Sequence, residues 1–180
     1  MARISTDLLS QARMLATREP RRPKQATIRR SISTSYYALF HFLIEEAALV
    51  VCGAAHADQR MRQMAGRAFD HGKMKSLCRE FVKQNAQQVH SLLQTFWPQF
   101  NIPGSQHIRL VAQTFIDLQE ERHEADYDMS VVFSRQEALN AVSRVDAAIH
   151  SWRHLKQASR DTCRLFAISL ALWPSLASRQ

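Results

Sequence analysis

Between Arg29 and Leu43 the chain reads Arg-Arg-Ser-Ile-Ser-Thr-Ser-Tyr-Tyr-Ala-Leu-Phe-His-Phe-Leu, and side chains able to bind anions or move protons recur through it at helical spacing. On a helix, Arg30, Ser33 or Thr34, Tyr37 and His41 share one stripe, while Ile32, Tyr36, Leu39, Phe40 and Leu43 lie on the opposite face. A cation, hydroxyls, a phenol and an imidazole in a row can hold a phosphate and stack a base. The same row can also be a polar seam whose members satisfy one another between packed helices. Residue types alone leave both readings open.

A second stretch, Leu118 to Val142, places Arg122 and Tyr127 where a helix runs into a loop, with Asp126 and Asp128 beside them and Val131-Val132-Phe133 following. It reads either as a binding corner or as a solvated helix end. A third feature is basic: Arg18, Arg21, Arg22, Lys24, Arg29 and Arg30 crowd together with Glu19 as the lone acid among them. Folded against a groove they would contact phosphates; as a free loop they would do little. Arg144 and His150 have the bare spacing of a ribonuclease pair but sit inside the next helix, where chance explains them. Asp146, His150 and His154 recur every four residues, and Glu120-x-x-His123 is half of a di-iron motif without a second half. Solvated polar faces account for both, so neither a metal nor another cofactor is expected.

These side chains need helices to position them. Gly 4 and Pro 5 in 180 residues are too few for a turn-rich sheet, and the hydrophobic fraction of 46% is that of a globular core. Ile4, Leu8, Leu9, Ala12, Leu15 and Ala16 form a helical stripe over residues 4–18, which Glu19-Pro-Arg-Arg-Pro23 must break. A long helix over Gln25–Cys52 follows, stopped by Gly53. Two shorter helices are expected over 58–70 and 73–84 around His71-Gly72. The stretch from Asn85 to Ser105, with Trp97-Pro98 and Pro103-Gly104, is expected to be irregular. A helix over Gln106–Asp126 comes next. Ser134-Arg-Gln-Glu137 has the capping-box pattern that opens another helix, ending near Lys156, and Asp161–Leu172 forms one more short helix. The expected fold is an all-α antiparallel bundle of about four to five main helices. It divides into a domain over 1–158 and an apolar C-terminal helix or tail over 159–180, which could cover the bundle end, strengthen a dimer or await a partner.

The net charge of +8 and a pI near 10.0 favour an anionic partner, of which nucleic acid is the commonest. Cys52, Cys78 and Cys163 form no Cys-x-x-Cys pair and read as small apolar residues in a reducing compartment. The N-terminus has no signal-like apolar run. The most apolar segment, Leu165 to Trp173, is about half the length of a membrane span. A cytoplasmic protein without membrane partners is expected.

Two ordered motifs carry a family resemblance. Arg29-x-Ser-x-Ser-x-Ser-Tyr-Tyr-Ala-Leu-Phe-His41 is followed by Arg122-x-x-Ala-Asp-Tyr127 and the helix opening Ser134 to Ala138, with Arg67-Ala-Phe-Asp-His71 between them. Over roughly residues 8–156 the chain resembles the HEPN family (higher eukaryotes and prokaryotes nucleotide-binding). The resemblance implies a helical bundle paired as a two-fold homodimer, acting in toxin–antitoxin pairs, often beside a minimal nucleotidyltransferase, in antiphage defence or in RNA processing. Active members of the family cut RNA without metal. They use an Arg followed, after four to six intervening residues, by a His that moves protons around the 2′-hydroxyl. Here Tyr127 stands where that His is expected, and a phenol titrating near 10 is a poorer proton shuttle than an imidazole near 6.5. His123 points about 100 degrees away from Arg122 on a helix, which makes it an awkward substitute.

By this resemblance Arg122, Tyr127 and His41 are the catalytic candidates. Arg29, Arg30, Ser33, Tyr37, Asp126, Arg21, Arg22 and Lys24 are candidates for holding RNA or a nucleotide in a dimer cleft. The expected activity is binding. The alternatives are a metal-independent endoribonuclease with an altered acid/base set and a non-catalytic partner-binding module.

Overall fold

The computed structural model describes residues 4–100 and 105–176, and these form an all-α bundle without a strand among them. Helix α1 (Ile4–Thr17) ends at the proline-flanked stretch, and α2 (Gln25–Cys52) runs uninterrupted for 28 residues because nothing in it breaks the backbone ladder. Gly53 closes α2 at φ +87°, its N–H bonded to the Leu49 carbonyl at 3.0 Å. A Cβ there would also meet the Asp58 carboxylate at 2.8 Å, so glycine is required on two counts. By length and composition alone α2 could cross a membrane. Its apolar residues Ile28, Ile32, Leu39 and Leu43 are instead buried in packing.

Helices α3 (Gln59–Gly66) and α4 (His71–Phe81) depart from the expected boundaries. His71-Gly72 does not separate two helices but forms the first turn of α4. Asp70 caps it by accepting the Lys73 N–H at 2.9 Å, which satisfies a backbone donor that would otherwise be free. The stretch from Asn85 is less irregular than expected, with a 3₁₀ turn at Ala86–Gln88 and two one-turn helices, α5 (Ser91–Gln94) and α6 (Trp97–Phe100). Pro103-Gly104 lies outside the described residues. Helix α7 (Ser105–Tyr127) is joined to α8 (Arg135–Ala158) by a short segment. The capping box forms as the sequence indicates. The Ser134 N–H donates to Glu137 Oε2 at 2.7 Å, and the Glu137 N–H donates to Ser134 Oγ at 3.2 Å. The last helix, α9 (Arg160–Leu176), is longer than expected, and residues 177–180 of the tail lie outside the described residues.

Contacts group the chain into two units, one comprising the described residues up to Phe42 with Thr114–Ile149, the other Leu43–Gln113 with the chain from His150. In the first unit α1 packs on α2 through small residues. Ser31, fully buried, donates to the Ala12 carbonyl at 2.7 Å, and Ser35 donates back to the Ser31 carbonyl at 2.9 Å. Arg13 of α1 also pairs with Asp146 of α8. Ile4 departs from the expected stripe: at the first position of α1 it is 52% exposed. Helices α2 and α7 run antiparallel here, since Arg29 meets the backbone at Ala125 and Tyr36 meets Phe115 at 5.5 Å.

In the second unit α9 packs on α4, with Phe81 edge-on to Phe166 at 4.8 Å and Trp173 Nε1 donating to Ser76 at 3.2 Å. The apolar tail is therefore a wall of this unit's core. Glu46, also buried, accepts from Trp152 Nε1 at 3.0 Å and from Lys156 Nζ at 2.7 Å, which compensates its carboxylate for lost water. Cys78 and Cys163 are buried and Cys52 is half-buried. Burial pushes the Cys78 thiol up, far from reactivity at neutral pH.

Candidate functional site

The corner where α2 passes the last turns of α7 gathers five of the singled-out residues in the first unit. Arg122 is at its centre. Its Nη2 donates to the Tyr37 hydroxyl at 2.9 Å, and its Nε lies 2.8 Å from Asp126 Oδ2, a charge pair one helical turn apart. Its guanidinium carbon lies 5.5 Å from the ring centroids of both Tyr37 and Tyr127, within cation–π range. Ser33 Oγ donates to the same Asp126 oxygen at 3.3 Å. The order follows from the local sequence: Arg122 and Asp126 share a face of α7, Ser33 and Tyr37 share a face of α2, and the two faces meet.

Electrostatically the corner keeps its cation. Burial alone would pull the Arg122 guanidinium down, but the hydrogen bond to Tyr37 and the nearby Tyr37, Asp126 and Tyr127 outweigh it and hold it above its ordinary value. A guanidinium has five N–H donors, and the Tyr37 and Asp126 contacts engage only part of them. The remainder, beside Tyr127, a residue 64% exposed, can meet a phosphate while the open part of its ring meets a base.

Other candidates fall elsewhere. Arg29 is not a free phosphate ligand, because its guanidinium is engaged with the carbonyls that close α7 and follow it. It donates to Glu124 at 3.4 Å, Ala125 at 3.0 Å, Asp128 at 2.9 Å and also Val131, and it lies 5.5 Å from the Phe133 ring. A helix end presents unpaired carbonyls and partial negative charge, and Arg29 answers both. Ser33 is fully buried, so it orients Asp126 from behind instead of touching a ligand. Arg30 is exposed on α2. His41, one turn beyond Tyr37, is half-buried and packs edge-on to Phe40 at 5.4 Å. Arg21, Arg22 and Lys24 are exposed in the α1–α2 segment. That segment is tied down by Glu19, whose carboxylate accepts from Thr27 Oγ1 at 3.0 Å and whose carbonyl accepts from Arg135.

Two features were not foreseen. The His123 ring packs on Tyr127 at 5.1 Å, so an imidazole belongs to the corner after all. The signal was its i,i+4 spacing to Tyr127, which matters more than its angle to Arg122. The same unit also has a cavity of about 610 Å³ lined by Ile32 and Phe133 and by Glu121, Glu124, Glu137 and Arg144. Arg144 pairs there with Glu121 at 2.7 Å, which gives this arginine a structural role. Among the described residues no three of His, Cys, Asp and Glu gather as a metal centre would require.

Comparison with protein-family models, with curated proteins and with solved structures found no match to this chain.

Proposed function

We propose that the chain is a HEPN-like component of a toxin–antitoxin or antiphage defence system that binds RNA or a nucleotide at the Arg122 corner. The observation that carries the reading is the placement of the Arg122 guanidinium against Tyr37, 2.9 Å from its hydroxyl, beside the exposed Tyr127 ring. A persistent cation next to an accessible aromatic face suits a phosphate followed by a base. The charge of +8 supports an anionic partner. In this proposal two copies pair so that the corners face a shared cleft, and a minimal nucleotidyltransferase is the candidate protein partner.

Fluorescence anisotropy with a short single-stranded RNA tests the binding. Affinity should fall by about tenfold or more in Arg122→Ala, the cost of one charge-assisted contact, and should weaken steeply with added salt as phosphate contacts release counterions. Equal affinity in the wild type and Arg122→Ala would overturn the assignment of this corner.

The contact between His123 and Tyr127 favours a second reading, a metal-independent endoribonuclease in which His123 supplies the proton transfers that the phenol cannot. RNA incubated with the protein in EDTA separates the two. Cleavage lost in both His123→Ala and Arg122→Ala supports the enzyme; binding without cleavage supports the binder.

A further inference from the structure

The second unit contains a cavity of about 520 Å³ where the end of α2 faces the junction of α8 and α9. Its α2 side is aliphatic, formed by Leu49 and Val50 with Ala54 just past the helix end. Its other side carries Lys156, Arg160 and Arg164. These three recur every fourth residue, and the α8–α9 junction hardly interrupts the ladder. Only Ser159 separates the helices, with its N–H bonded to the Leu155 carbonyl at 2.7 Å and its carbonyl accepting from Cys163 at 3.3 Å. The cations therefore stack along one side of one cavity.

We propose that this cavity binds a single aliphatic chain ending in a carboxylate or phosphate. The volume lies within the range of small-ligand sites, and apolar walls with a few placed charges are their usual composition. No aromatic ring lines the cavity among the described residues, so a base would have nothing to stack on, whereas an alkyl chain finds aliphatic walls. Charge separates it from the cavity of the first unit: that one is lined by three glutamates, and this one by three cations and no acid. Lys156 is compensated by Glu46 from behind the wall. Arg164 has Asp161 at 3.9 Å, but both side chains are mostly exposed and such pairs contribute little. Like charges at i,i+4 spacing cost a helix stability, and an anionic head group among them relieves that repulsion. The floor adds no anion, because burial pushes the Cys163 thiol up to about 12, with Lys156 opposing the shift and Glu46 adding to it.

The test is calorimetric titration of the full chain with decyl phosphate and decanoate below their micelle concentrations, with decanol and inorganic phosphate as the chain-only and head-only probes. Both amphiphiles should bind one per chain, and each partial probe should bind about tenfold more weakly or worse. Arg160→Ala combined with Arg164→Ala changes only exposed side chains, so the fold should be kept. It should abolish the preference for decyl phosphate over decanol without lowering the melting temperature of the free protein. Val50→Trp, which fills the aliphatic side, should remove binding of all the alkyl probes. The proposal is overturned if decyl phosphate fails to bind, if it binds no better than decanol, or if the double variant keeps the preference.

Discussion

Replacing Arg29 with alanine should destabilise the first unit without touching a ligand. Its guanidinium meets four carbonyls, those of Glu124, Ala125, Asp128 and Val131, and so joins α2 to the end of α7 and to the segment leading into α8. A hydrogen bond from a charged donor contributes about 1.5–3 kcal/mol net, and a cation at a helix C-terminus about 0.3–2 kcal/mol. These terms share one side chain and do not add. Water can also reach the more exposed carbonyls after truncation, so the expected loss is about 2–4 kcal/mol. For a chain of this size that lowers the melting temperature by roughly 5–12 °C. Urea unfolding followed by circular dichroism measures it, with Arg30→Ala as the exposed neighbour expected to stay within about 0.5 kcal/mol. Arg29→Lys keeps the charge but loses the planar fork that spans several carbonyls, and it should recover no more than about half of the loss. If Arg29→Ala is as stable as Arg30→Ala and instead loses RNA affinity, the guanidinium serves the ligand and the structural role assigned to it is wrong.

Ser134→Ala should cost about 1 kcal/mol by removing the α8 cap. The Ser134 N–H, and then its hydroxyl, hold the Glu137 carboxyl below its ordinary value. That contribution is therefore complete above the unfolded carboxyl value of about 4.3 and is lost as pH falls through the lowered folded value; the difference between mutant and wild type in urea midpoints should shrink below about pH 4. Trp152→Phe takes one donor from buried Glu46 and puts a smaller ring in a fully buried position, so about 2–4 kcal/mol should be lost in thermal melts. An unchanged melt would show that this carboxylate does not need the indole N–H. Tyr37→Phe removes the hydroxyl that anchors Arg122 at 2.9 Å. It should cost about 1 kcal/mol of stability and weaken RNA binding less than Arg122→Ala does.

How far the sequence could be read depended on whether a residue's partner was local. Gly53 and Ser134 act within one turn of their own helix ends, and both ends fall where the sequence places them. Gly72 was misleading because a glycine marks a stop only where the backbone needs a positive φ; here Asp70 two residues earlier starts a helix, and the glycine merely occupies its first turn. Arg29 and Arg122 look alike in composition, each an arginine near hydroxyls and aromatics. Their difference is set by what the opposing helix presents. Arg29 meets a helix end rich in unpaired carbonyls, whereas Arg122 meets a phenol and keeps donors to spare. The Lys156, Arg160 and Arg164 ladder is hidden for a related reason: a separate tail from residue 159 would break a spacing that the nearly continuous α8–α9 backbone preserves.

The same contrast bears on how the Arg122 corner would work. Asp126 already neutralises part of the guanidinium, and Ser33 holds that carboxylate in place from the buried side. An incoming phosphate therefore competes with a carboxylate that cannot easily swing away, so binding should be moderate and strongly dependent on salt. Asp126→Asn removes the competing charge while retaining an acceptor for Ser33. If the corner receives a phosphate, this substitution should tighten RNA binding by about threefold to tenfold in anisotropy at fixed salt, the scale of a partly exposed charge pair of about 0.7–1.4 kcal/mol. If it weakens binding while the melt stays unchanged, Asp126 contacts the ligand itself and its assignment as the phosphate's competitor fails.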